Sequence, residues 1–201
     1  MKVVVLPPRT VPAAAGEGGF QPWVEVTLVV RLAVPEWGVS ELAFGHWAAP
    51  WEPERGSLSW RPFDPGRRAA VAGIPSGAEA VELGGHETEV LALQCAALLP
   101  GEMYYQPFLG MVSSLGESFA AFRHRCLKAV AQTVREALVR REPAAAQAVA
   151  RVVESIERRV LGEGEMDVLE ARVGLAYYPE GVEPGVASGN LMVEGGKGWR
   201  P

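Results

Sequence analysis

Phosphate chemistry leaves the sharpest residue spacings, and Gly195-Gly196-Lys197-Gly198 holds a Gly-Lys pair. No glycine precedes it at the spacing of a phosphate loop, and no Ser or Thr follows the Lys. The backbone cradle and the magnesium-binding hydroxyl are both missing. Zinc hydrolysis fails in a similar way. His86-Glu87 begins like a zinc-protease helix, but residue 90 is Val, so the second imidazole one turn on is absent. His46 and His124 are scattered from it. A Cys–His hydrolase needs a thiolate within hydrogen-bond reach of an imidazole. Cys126 and His124, two apart on one helix, point in different directions. Cys95 meets His46 or His86 only through tertiary structure. Ser113, in Gly110-Met111-Val112-Ser113-Ser114, lacks the glycines of a nucleophile elbow. The reading is a non-enzymatic protein with no cofactor and no metal; its alternative is a hydrolase using Cys95 or Ser113 with a His.

What remains as functional material is basic. Arg123, Arg125, Lys128, Arg135, Arg140 and Arg141 cluster in the stretch Ser114–Leu161. That stretch holds nine Arg/Lys against five Glu, while the whole chain has a net charge of −5. The acidic balance argues against nucleic-acid binding over the whole surface. The basic series is the candidate interaction face, for a protein partner or self-association ahead of nucleic acid.

The elements that carry these residues follow from periodicity. Ser114 and Glu117 have the spacing of a capping box. Leu115, Phe119, Phe122, Cys126, Val130, Val134 and Leu138 then form one helical stripe. Pro143 ends the run and suits the first turn of a second helix, carrying Val149, Val152, Val153, Ile156 and Val160 to a stop near Gly162. The first helix would span roughly 40 Å. Val24 to Val34 alternates as a strand, with Val24, Val26, Leu28, Val30 and Leu32 against Glu25, Thr27, Val29 and Arg31. Lys2–Leu6, Ala78–Leu83 and Met166–Tyr178 also read as strands, Glu87–Leu99 as a helix, and Met103–Val112 as extended. Between Pro35 and Gly73, Trp37, Trp47, Trp51 and Trp60 mix with prolines. That composition predicts an irregular layer pinned by Trp burial, with a short helix near Val39–His46.

The 201 residues fit one domain with an appendage. Apolar content of 48% is that of a folded protein. Two widely spaced cysteines make no disulfide framework. The apolar start, Lys2–Leu6, is too short for a secretory signal and no run is long enough for a membrane span. A cytoplasmic protein is expected. The fold class is α+β: a mixed or antiparallel sheet packed against a two-helix hairpin, with the Trp/Pro-rich layer. Residues 1–178 form the domain, with the helical pair at 114–161, and residues 179–201 form a Gly-rich tail.

Ser114-Leu115-Gly116-Glu117-Ser118, then Phe122-Arg123-His124-Arg125, resembles the start of the helical insertion in some bacterial HerA-type ATPases. Leu175-Ala176-Tyr177-Tyr178-Pro179 is similar to a later strand of the same proteins. The resemblance covers about residues 90–179. The motor motifs are absent, so no catalytic residue carries over. It implies a relative of the non-catalytic region that works beside a separate P-loop ATPase. The function expected is an interaction or assembly module, an accessory part of an ATPase-containing or nucleic-acid-handling complex.

Overall fold

The structure is a computed structural model and describes residues 1–11, 19–52, 58–65, 70–139, 151–162, 164–185 and 191–193; of 132–139 and 191–193 it describes the backbone. The strands are β1 (Lys2–Val5), β2 (Arg9–Thr10), β3 (Phe20–Val34), β4 (Val39–Pro50), β5 (Arg61–Pro62), β6 (Val71–Ala72), β7 (Glu102–Gln106), β8 (Met111–Val112), β9 (Glu157–Val160), β10 (Met166–Pro179) and β11 (Leu191–Val193). Two helices have defined bounds, α1 (Gly85–Ala96) and α2 (Phe119–Val139). The fold is α+β. The chain divides into two compact units. One is Met1–Arg31, Leu42–Leu99 and Asp167–Pro201; the other is Leu32–Glu41 and Pro100–Met166.

The first unit is built on a mixed sheet in the order β11-β4-β3-β10-β2-β6, with β1 also on β10 and β5 also on β4. β1 and β2 run parallel to β10, and β11 and β5 run antiparallel to β4. β3 forms because its apolar residues recur every second position. Val24, Val26, Leu28 and Val30 are all buried on one face. Each such side chain contributes about 1.5–3 kcal/mol when removed from water. β10 behaves likewise, with Ala171, Val173, Leu175 and Tyr177 buried. α1 packs against β1 and buries Leu91, Ala92 and Cys95.

Two local expectations are corrected here. Val39–His46 is strand β4, not a helix. A 3-10 turn at Pro35–Trp37 ends on Gly38 in the left-handed region (φ 67°), and the chain returns along β3 as a hairpin. So short a connection closes only an antiparallel pair. Ala78–Leu83 is not a strand. The Tyr177 hydroxyl donates to Glu79 O (3.1 Å) and accepts from Val81 N–H (3.2 Å), so a side chain takes the place of a ladder neighbour.

In the second unit β8-β7-β9 make a three-stranded antiparallel sheet. Tyr104, Phe122, Cys126, Val130 and Val152 form its core. The expected capping box is displaced. Ser114 N–H does donate to Glu117 Oε2 (3.0 Å), but α2 begins at Phe119, and Ser118 Oγ accepts from Ala121 N–H (3.2 Å). Gly116, at φ 81°, holds a left-handed turn that no helix can pass through. The second helix also ends earlier than its apolar stripe predicts. Residues 151–154 are helical, and Glu157–Val160 is strand β9, paired with β7. Gln106, fully buried, donates to Val152 O (3.1 Å) and Ser155 Oγ (2.7 Å), which occupies the helix end. Residues 140–150, including the hinge at Pro143, lie outside the described residues.

Candidate functional site

The site grows from the second face of β3. The residues between the buried valines are Trp23, Glu25, Thr27 and Val29, and period-two geometry puts them together. Trp51 N–H donates to Pro22 O (3.0 Å), which sets the hairpin register and brings Thr27 opposite His46 of β4. Thr27 Oγ1 and His46 Nδ1 are 2.9 Å apart. The imidazole stacks on Phe44 (centroids 6.5 Å, 8°) and meets Phe63 edge-on (5.9 Å, 74°). Burial lowers the His46 pKa, against a weaker pull upward from Asp64, so the ring is held neutral.

Glu25 is only 8% exposed. Its Oε2 accepts from Arg9 Nη2 and its Oε1 from the Tyr178 hydroxyl (2.7 Å). Burial raises its pKa, outweighing the Arg9 charge and both hydrogen bonds, which lower it. A carboxyl and an imidazole on one floor are thus both pushed toward their neutral forms, as low-dielectric surroundings require. Perturbed groups of this kind in a cleft mark a candidate site.

A cavity of about 420 Å³ stands over this floor. Leu6, Pro7, Phe44, Phe63, Pro65 and Leu175 supply its apolar walls. Arg9, Glu25, Thr27 and His46 are its buried or half-buried polar groups, and Arg172 adds a second guanidinium. The wall at β1–β2 has a local cause. Val5 pairs with Val173 and Arg9 with Ala176, so Leu6-Pro7-Pro8 faces only Gly174-Leu175. The extra residue is a bulge, and neither proline has an N–H for the ladder. Gly174 is required there: a Cβ would stand 2.9 Å from the Leu6 Cβ. Beside the cavity, Trp23 meets Tyr178 edge-on (6.1 Å, 66°) in a cluster with Val11, Ala48, Phe63 and Ala176. The Trp23 Nε1–H is buried without a partner among the described residues.

The residues singled out by spacing lie elsewhere. Arg125 donates to both Glu117 carboxylate oxygens (3.0 and 2.7 Å) and to Val112 O (2.7 Å), and it lies over the Phe122 ring. It fixes the entry to α2 and is not a free cation. Arg123 and Lys128 are exposed on α2. The side chain of Arg135 is not described, and Arg140 and Arg141 lie outside the described residues, as does Gly195–Gly198. Cys95 and Cys126 are buried free thiols whose pKa values burial raises, opposite to what a thiolate nucleophile needs. Ser113 is buried, and its Oγ accepts from Tyr104 N–H (2.9 Å). His86 and His124 are exposed. Among the described residues no group of three His, Cys, Asp or Glu side chains can hold a metal, and no helix is long and apolar enough to cross a membrane. The Trp residues are used as structure: Trp37 and Trp47 are buried, and Trp60 Nε1–H donates to Gln94 Oε1 (3.1 Å).

Spacing alone missed Arg9, Glu25, Thr27 and His46 as a group. The available signal was a carboxylate and a hydroxyl two residues apart inside the otherwise apolar run Val24–Val30. No family model, curated protein or solved structure matches the chain.

Proposed function

We propose that the protein is a non-enzymatic recognition module, and that the cavity over β4, β3 and β10 is where it binds a small ligand. The observation that carries this is the cavity itself. Its 420 Å³ are walled by apolar side chains around a few convergent polar groups, the ordinary composition of a small-molecule site. The buried polar groups are already satisfied by one another, so the floor is organised before anything enters. Titration of small aromatic fragments into the full chain, followed by amide NMR, tests the reading. Saturable shifts concentrated at Thr27, Phe44, His46 and Leu175 support it. Shifts that never saturate, or that centre elsewhere, overturn it.

A second reading is favoured by Arg123 and Lys128, exposed on α2 with no ion pair among the described residues. These cations would dock an acidic surface of a separate P-loop ATPase, the partner that the HerA resemblance implies. Co-purification with such an ATPase, and its loss in the R123E/K128E double variant, would support this role. Unchanged association in the double variant would remove it.

A further inference from the structure

We infer that the ligand of this cavity is a small organic carboxylate, with its apolar body against Phe44, Phe63 and Leu6 and its carboxylate on Arg172. This rests on the cavity being the binding site. The lining holds two guanidinium groups and one carboxylate, so it carries a net positive charge inside a chain of net charge −5. The two arginines are not equivalent. Arg9 is committed to Glu25, which Tyr178 also holds. Arg172 is 49% exposed, and among the described residues only its Nε is engaged, by Glu170 Oε1 at 2.7 Å. Glu170 is shared with Lys2 at 3.8 Å. The Nη groups of Arg172 therefore remain for a planar, two-oxygen acceptor, the geometry that a guanidinium matches best.

The same groups select against other chemistries. His46 is held neutral and offers no second cation. A phosphate dianion would bring a second negative charge toward the Glu25 carboxylate with only the Nη groups of Arg172, already paired to Glu170 through Nε, to meet it. An organic cation would face Arg172 directly. A neutral ligand fits the walls but leaves the Arg172 fork unused. A single negative charge on a compact apolar body is what the lining balances.

Benzoate, benzamide and phenyl phosphate have similar ring bulk and differ in charge, and each can be titrated into the full chain by calorimetry and amide NMR. Benzoate should bind saturably, at least about tenfold tighter than benzamide and tighter than phenyl phosphate. Arg172→Gln should weaken benzoate at least about tenfold while leaving benzamide unchanged, and Arg172→Lys should restore part of the loss. The side chain is half-exposed, so these variants should keep the wild-type spectrum outside the cavity. Benzamide binding as tightly as benzoate, or an unaltered benzoate affinity in Arg172→Gln, overturns the carboxylate assignment and leaves the cavity reading standing. Phenyl phosphate binding tightest overturns it in favour of a phosphate ligand. Saturable binding by none of the three overturns both.

Discussion

Arg9→Gln removes the cation from the Glu25 carboxylate while keeping most of the side chain's bulk. Two unit charges about 4 Å apart attract by about 4 kcal/mol at an effective dielectric of about 20. Breaking a buried pair by deleting one partner generally costs about 3–5 kcal/mol. Two features of this pair reduce that figure. The Arg9 side chain is 32% exposed, so part of its attraction is screened. Glu25 can also escape by taking a proton. From its ordinary value of 4.5, that escape costs at most about 3.5 kcal/mol at pH 7, at about 1.4 kcal/mol per pH unit, which caps the electrostatic loss. The expected destabilisation is therefore about 2–3 kcal/mol at pH 7, falling below about 1 kcal/mol at pH 5 as protonation becomes cheap. The sign follows from burial. It raises Glu25, so the group's contribution to stability is fully present below 4.5 and is lost as pH rises through its folded value. Removing Arg9 raises that folded value further and extends the loss to higher pH. Urea unfolding of both proteins at pH 5, 6, 7 and 8 measures the gap directly. A gap that is the same at every pH, or below about 0.5 kcal/mol at pH 7, would refute the reasoning.

Other predictions concern single contacts. Thr27→Val leaves His46 Nδ1 without its partner and should cost about 1–2 kcal/mol at pH 7.5; urea unfolding within about 0.3 kcal/mol of wild type would show that the contact contributes nothing. His46 should titrate below 6.5 by NMR, because burial favours its neutral ring; stability from this group is then present above 6.5 and lost as pH falls through its folded value, and a midpoint at or above 6.5 would contradict this. Gly174→Val drives a side chain into Leu6 and should destabilise by about 1–3 kcal/mol; an unshifted urea midpoint would mean that the strand moves aside freely. Gln106→Leu strands Val152 O and the Leu109 N–H, which Gln106 Oε1 accepts at 2.7 Å, and should cost about 3 kcal/mol; a loss under about 1 kcal/mol would show that water replaces the bracket.

The long strands were readable because one face of each is apolar at every second residue. Val24 to Val34 and Met166 to Tyr178 alternate, and both are strands. α1 was readable from its apolar run, but it begins at Gly85 and ends at Ala96, ahead of the expected stop at Pro100-Gly101. β4 was not, because its Trp and Pro content hides a strand whose conformation is fixed by pairing with β3, a tertiary effect. The cap of α2 moved from Ser114 to Ser118 because Gly116 interposes a turn, which the Ser–Glu spacing does not reveal. β9 was hidden because Val160, its one apolar residue, falls four after Ile156 and so extends the helical stripe, while the strand is fixed by pairing with β7. The cavity floor was the least legible. Arg9, Glu25 and Tyr178 are far apart in sequence and meet only through the order of strands on β10.

That strand order also fixes when the cavity can exist during synthesis. β1 pairs with residues 170–173 and β2 with residues 176–177, so the first and nearly the last ordered strands are neighbours. The β3–β4 hairpin closes locally, but β10 takes its place between β3 and the β1–β2 edge. Contacts of such long sequence separation form slowly, since a large loop must close before they are rewarded. On a growing chain, β2 can pair with β6 once residue 73 has been made, but Lys2–Val5 waits for its partner strand until residue 173 has been made. A chaperone that shelters the N-terminal residues until then would act on this protein at its most exposed stage.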